Sequence, residues 1–140
     1  MIGAIIAKRK ARASFEELNQ GDVHAFLRDW ADDAVFVYPA NLPVSGTIEG
    51  KPAIDEWFRK FLDQFPGVAF TVKNVCVKNI FAFGGTNVLA VEWDVALTNQ
   101  RGKEFQNSGV TVITLKKGKA VEARDYIFDF EQVKEAWGEK

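Results

Sequence analysis

Residues 87–97 read NVLAVEWDVAL, and the alternation in this stretch sets the architecture. On a strand, Leu89, Val91, Trp93, Val95 and Leu97 fall on one face, and Val88, Ala90, Glu92, Asp94 and Ala96 on the other. Gly84-Gly85 precedes the stretch and Asn99 to Gly102 follows it, both turn signals. Working outward, the same period marks strands over about 68–80, 103–115 and 119–127, the last two joined at Lys117-Gly118. Connections this short make neighbouring strands antiparallel.

Upstream the period is helical. Residues 2–19 predict an opening helix with apolar contacts from Ile2, Ile5, Ile6, Phe15 and Leu18. Asn19-Gln20-Gly21-Asp22 ends it and starts another, since glycine accepts a positive φ and Asp22 caps the exposed amides of the next turn. The second helix is short, with Val23, Phe26, Leu27 and Trp30 on its buried side, and a strand follows over Ala34 to Tyr38. Pro39 to Gly50 holds two prolines and two glycines and predicts a loop suited to a pocket mouth or lid. Pro52 fits a first helical turn, Ile54, Trp57, Phe58, Phe61, Leu62 and Phe65 supply a wide apolar stripe, and Pro66-Gly67 stops it. A terminal helical segment begins near Asp129. The class this predicts is α+β, with three N-terminal helices on one face of a curved sheet and a hollow between the layers.

The 140 residues, 47% hydrophobic and 26% charged, suit one domain over 1–140 whose core needs no metal or disulfide. Basic and acidic residues nearly cancel, at 18 and 19, so nothing demands nucleic acid. Cys76 is the single cysteine and His24 the single histidine, which excludes an intrachain disulfide and argues against a zinc site. No metal or cofactor is expected, although a metal held by oxygen ligands alone stays open. The apolar run Met1–Ala7 comes before Lys8-Arg9-Lys10, the reverse of a secretory signal, and no later run reaches membrane-spanning length, so a cytoplasmic protein is expected.

The candidate chemical groups come from strand parity. Glu92 and Asp94 point the same way about 7 Å apart, given a rise of about 3.3 Å per residue, and can present two carboxyls to one ligand or form a solvated acidic edge. Asp125 shares its parity with Val121, Ala123 and Ile127; a carboxylate in an apolar row must find donors, protonate or reach water. Adjacent strands can bring Asp94 and Asp125 together. Tyr38 ends its strand beside the loop and can donate to a ligand oxygen, and Asn107, on the parity of Phe105, Gly109, Thr111 and Ile113, can orient water or a carbonyl or satisfy local backbone. Trp30, Phe58, Phe61, Trp93 and Phe128 read as core or as apolar wall around a ligand. His24 reads as a surface or helix-packing residue, Cys76 as core, and Gly84-Gly85 as a turn without a phosphate-loop pattern.

Four segments carry a resemblance that covers nearly the whole chain: Leu18-Asn19-Gln20-Gly21-Asp22, Trp30-Ala31-Asp32-Asp33-Ala34, Gly50-Lys51-Pro52-Ala53-Ile54, and Gly118 to Tyr126. Together they resemble the nuclear-transport-factor-2-like (NTF2-like) superfamily, in its SnoaL-like, limonene-epoxide-hydrolase-like and ketosteroid-isomerase-like branches. The resemblance implies a cone-shaped, cystatin-like α+β fold, often dimeric, with helices closing a ligand cavity over a bent, mostly antiparallel mixed sheet. Arg124-Asp125-Tyr126 and Glu92-Trp93-Asp94-Val95 look like the epoxide-hydrolase branch, which implies catalytic roles for Asp125 and Asp94. Glu92 then stands where that branch has an arginine, and Tyr38 where it has a water-positioning asparagine. Against the ketosteroid-isomerase pattern, Ser14 replaces the oxyanion-donor tyrosine, Tyr38 replaces the base, and residues 107–115 lack the second acidic donor. The SnoaL-like branch implies cyclase chemistry, which the absence of histidine from the second half disfavours.

The function expected from this reading is binding of an apolar small molecule with metal-free acid–base chemistry by Asp94 and Asp125, tuned by Glu92 and Tyr38. Hydrolase and isomerase activity both fit, epoxide hydrolysis being the most concrete form. A non-catalytic binding module and a homodimeric interaction module, the latter burying the Leu89–Leu97 face, are the alternatives. No membrane or nucleic-acid partner is expected.

Overall fold

A computed structural model describes residues 2–80 and 85–138 of the chain. Its elements run α1 (Ile2–Asn19), α2 (Val23–Phe26), β1 (Trp30–Tyr38), β2 (Gly46–Glu49), α3 (Lys51–Gln64), β3 (Ala69–Val77), β4 (Thr86–Thr98), β5 (Glu104–Lys116), β6 (Lys119–Ile127) and α4 (Phe130–Ala136). The strands form one mixed sheet in the order β2-β1-β6-β5-β4-β3. Each neighbouring pair is antiparallel except β1 and β6, whose parallel pairing joins the two halves of the chain. This is the α+β class that the sequence predicts.

The long strands and the helices lie where the periodicity puts them, with two departures. Trp30 opens β1 instead of closing α2, because α2 is a single turn capped by Asp22, whose carboxylate accepts the Ala25 N–H at 3.0 Å. The Pro39–Gly50 segment contains β2, an edge strand on β1 that the Pro/Gly content conceals. The rest of that segment is pinned: Ser45 Oγ donates to the Pro39 carbonyl at 2.6 Å, and Trp57 Nε1 to that of Val44 at 2.8 Å. Of the turn at Gly84-Gly85, Gly84 lies outside the described residues.

Two one-residue shifts of register shape the sheet. Between β3 and β4, Val72 pairs with Trp93 but Asn74 with Glu92, so Lys73 is an extra residue. Between β5 and β6, Leu115 pairs with Ala120 but Thr114 with Glu122, so Val121 is extra. Bulges of this kind bend a strand and reverse its parity beyond them. Counted through Asn74 without the shift, Cys76 shares the inward side of Phe70 and Val72; with it, Val75 goes inward and Cys76 is exposed. The expectation of a core cysteine is corrected accordingly.

α1 lies along the edge strand β3 and satisfies three of its backbone groups. Asn19 donates through Nδ2 to the Phe70 carbonyl at 2.9 Å and accepts the Phe70 N–H on Oδ1 at 2.7 Å, while Arg12 donates to the Val72 carbonyl at 3.2 Å. The edge is thereby covered from Phe70 to Val72. At the other end, buried Asn99 accepts the N–H groups of Arg101 and Lys103 and donates to the Ala136 carbonyl, fastening the β4–β5 turn to α4. Phe36, Phe65, Leu18, Leu27, Ile54 and Val91 are fully buried where the helices meet the inner sheet face.

Candidate functional site

The inner sheet face and the helices enclose a cavity of about 340 Å³. Leu89, Val91, Trp93 and Val95 point to the inner side and are buried, whereas Glu92 and Asp94 are exposed on the outer one. Aromatic rings from every layer build the cavity wall: Phe15 of α1, Phe26 of α2, Trp30 and Phe36 of β1, Phe58 of α3 and Trp93 of β4. They pack largely edge to face, as for Phe26 and Phe58 with centroids 4.8 Å apart. Lys10 and Asp29, both mostly exposed and 3.9 Å apart, line the solvent end together with half-buried Ser14.

Asp125 is the acidic group set among these rings. Its strand neighbour Ala123 is fully buried, and Asp125 follows on the same side of β6. The side chain is half-buried by accessible area, and the surface it retains belongs to the cavity it lines. Thr111 Oγ1 lies 2.7 Å from its Oδ1, and Trp93 Nε1 donates to the same Thr111 oxygen at 2.9 Å. Removal from water pushes the Asp125 carboxyl up to about 7, against the opposing effect of the Thr111 hydrogen bond. Near neutral pH the group therefore exists in both protonation states.

Beyond Asp125, beneath α4, lies a smaller chamber of about 50 Å³ whose lining includes Tyr38, Phe61, Asn107, Gln132 and Trp137. Asp125 borders both chambers. The Tyr38 hydroxyl accepts a hydrogen bond from Trp137 Nε1 at 3.0 Å. Burial, with the charge of Asp125 adding to it, holds the Tyr38 phenol well above its ordinary range, so it stays neutral. Asn107 is fully engaged with backbone: it donates to the Asp129 carbonyl at 2.8 Å and accepts the Asp129 and Ser108 N–H groups.

Of the residues singled out from sequence, Trp30 lines the larger chamber, Tyr38, Phe61 and Asn107 the smaller one, and Asp125 and Phe58 both. Asp94 does not meet Asp125. It lies on the outer face 3.8 Å from Lys73 Nζ, in a shallow groove with Thr71 and Ser108. Glu92 shares that face and accepts from Asn74 Nδ2 at 2.8 Å. Phe128, 87% exposed, borders the same outer groove and is no part of the inner wall. Glu92 and Asp94 share one physical reason: the face carrying Leu89, Val91 and Trp93 buries more apolar surface than the face carrying two carboxylates, whose desolvation would be costly, whereas Phe128 follows the end of β6 at Ile127. His24 is exposed on α2, and no residue of the Pro39–Gly50 segment lines either chamber, so that segment is not the pocket mouth.

Thr111 is the residue that the sequence reading passed over. Counting back from the Lys117-Gly118 turn sets Thr111 opposite Arg124; the extra residue at Val121 moves Asp125 into that place. The available signal was the shared parity of Thr111 with the inward positions of β5, beside a carboxylate in the next strand.

Among the described residues, no helix is long and apolar enough to cross a membrane. No curated protein matches the sequence. Among solved structures, a Bacillus subtilis protein assigned provisionally as an isomerase is 26% identical, with a TM-score of 0.79 over 96% of this chain and 94% of that one. An NTF2-like protein of unknown function from Burkholderia pseudomallei is 18% identical, with a TM-score of 0.79 over 94% and 97%. TerC, co-crystallised with polyporic acid, is 20% identical, with a TM-score of 0.76 over 94% and 97%. The SnoaL-like domain model matches residues 11–123, which run from the middle of α1 through β5 to the bulge in β6 and stop before Asp125 and α4, and the chain belongs to the SnoaL-like family of NTF2-like folds.

Proposed function

We propose that the protein binds a neutral, largely apolar small molecule bearing an oxygen acceptor, and that Asp125 transfers a proton to or from it in an isomerase-type reaction. The observation that carries this reading is a single carboxyl, near half-ionised at neutral pH, deep in an aromatic cavity. A general acid–base group works best when its pKa lies close to the working pH. The apolar wall disfavours a charged ligand, and the protonated carboxyl offers a hydrogen to a carbonyl, ether or similar oxygen.

Proton transfer of this type needs only one such group. The carboxylate takes a proton from an activated carbon of the substrate, the double bond shifts, and the same carboxyl returns a proton to a different carbon. Epoxide opening by two carboxyls asks for a second acid in the chamber, and Asp94 stands outside it. The other carboxylate lining the large chamber, Asp29, is at the solvent end near Lys10. The resemblance to the Bacillus protein supports isomerase chemistry over hydrolysis.

The test is solvent exchange: neutral unsaturated ketones and related carbon acids are incubated with the protein in heavy water, and deuterium uptake is followed by NMR. Uptake should depend on Asp125, falling about 10²-fold or more in D125N. Uptake that is equal in D125N and wild type would overturn the assignment.

The same proposal includes a homodimer formed through the outer sheet face. Tyr126, Phe128 and Phe130, exposed by 54%, 87% and 47%, leave large apolar surface around the end of β6.

A further inference from the structure

Resting on the assignment of Asp125 as the proton-transfer group, we propose that Thr111 and Trp93 are positioning residues that decide which oxygen of Asp125 handles the proton. Thr111 keeps Oδ1 as a constant acceptor and leaves Oδ2 to exchange protons with the bound molecule. The directions follow from what each group can donate. An indole N–H only donates, and Trp93 Nε1 lies 2.9 Å from Thr111 Oγ1, so the hydroxyl oxygen receives that hydrogen. The hydroxyl retains its own hydrogen and has Asp125 Oδ1 at 2.7 Å to accept it.

Thr111 and Trp93 are 6% and 3% exposed, so water does not compete for these groups. Rotating the hydroxyl away from Asp125 would aim its hydrogen into an apolar wall, at the cost of an unmade buried hydrogen bond. With Oδ1 accepting in both protonation states, the acidic hydrogen belongs on Oδ2. Three adjacent strands supply the chain: Trp93 from β4, Thr111 from β5 and Asp125 from β6. Thr111 pairs directly with Asp125, while Gly109, two residues away, pairs with Trp93.

Few charges compete with this arrangement. Around the two chambers, β1 contributes Tyr38, which burial keeps neutral, and the solvent end has Lys10 of α1 and Asp29 near each other. The described lining residues from α2, α3, α4, β4 and β5 include no titratable side chain.

The experiment is a titration of the Asp125 carboxyl by NMR in protein labelled at aspartate side-chain carbons, without added ligand, using D125N to assign the signal. T111V should raise the Asp125 midpoint by about one to two pH units, the size expected for losing a hydrogen bond to a charged group. T111S should return it to the wild-type position, and W93F, which leaves the hydroxyl unoriented, should raise it by less. A midpoint unchanged in folded T111V overturns the proposal. If T111V does not fold, W93F and T111S decide, and an unmoved midpoint in W93F overturns the oriented chain. Because the titration is read without substrate, its outcome is separate from whether D125N loses turnover.

Discussion

Trp93 and Gly109 face each other across β4 and β5, and the indole occupies the space a side chain at 109 would need. A Cβ built on Gly109 would come within 2.8 Å of the Trp93 ring and closer still to the Tyr126 carbonyl. Backbone on one side and a packed ring on the other leave no direction for relief. G109A is therefore expected to destabilise the protein by about 1–3 kcal/mol, the usual cost of overpacking, measurable by urea denaturation. It should also displace Trp93 and shift the Asp125 titration.

The raised Asp125 pKa fixes the sign of a pH effect. In the unfolded chain the carboxyl loses its proton near 3.8, in the folded one near 7. Between these values the native state holds a proton that the unfolded state has released, so stability falls as pH rises. The contribution is full below about pH 4 and gone above about pH 7, a span worth about 4 kcal/mol at most. D125N should lack this decline, and the stability difference between variant and wild type, followed by denaturation from pH 4 to 8, should grow in favour of the variant. A constant difference would contradict the burial of this carboxyl.

Asn19 clamps β3 through two hydrogen bonds to Phe70. N19A removes both and leaves one donor and one acceptor of the strand without a partner. A loss of about 1–3 kcal/mol is expected, with faster amide hydrogen exchange at Phe70 than at the paired amides of β4 and β5.

Asp94 is the control for the site. Its carboxylate is more than half exposed and 3.8 Å from Lys73, so D94N should change stability by no more than about 0.5 kcal/mol. Deuterium uptake by substrate should match wild type. A large loss of uptake in folded D94N would move the chemistry to the outer face.

The homodimer has its own measurement. Replacing Phe128 with serine should shift the mass measured by light scattering from dimer towards monomer while the thermal melting curve of the monomer is kept. A wild-type protein that stays monomeric at high concentration would exclude this interface.

Much of the fold is legible because the periods are long and unmixed: α3 carries its stripe from Ile54 to Phe61, and β4 to β6 alternate over most of their lengths. The site is less legible. Parity groups Leu89, Val91 and Trp93 correctly, but both faces of β4 carry apolar residues, and which one the helices cover depends on packing across three layers. A bulge cannot be counted from one strand alone, which is why parity puts Cys76 inside and leaves the pairing of Thr111 with Asp125 unseen. Asp125 stood out because a carboxylate in an apolar row conflicts with its surroundings whatever the register. Thr111 did not, since threonine is at home in any strand.

Val121 lines neither chamber, yet its place outside the ladder decides which residues of β6 look inward. In a relative that keeps the residue count but takes this residue into the ladder, the lining would change sides: the counterparts of Arg124 and Tyr126 would turn inward and that of Asp125 would meet solvent, whereas loss of the residue would leave Asp125 opposite Thr111. Cationic and acidic pockets on this scaffold are then one step of register apart, and an alignment gap placed at 121 still compares interior with interior.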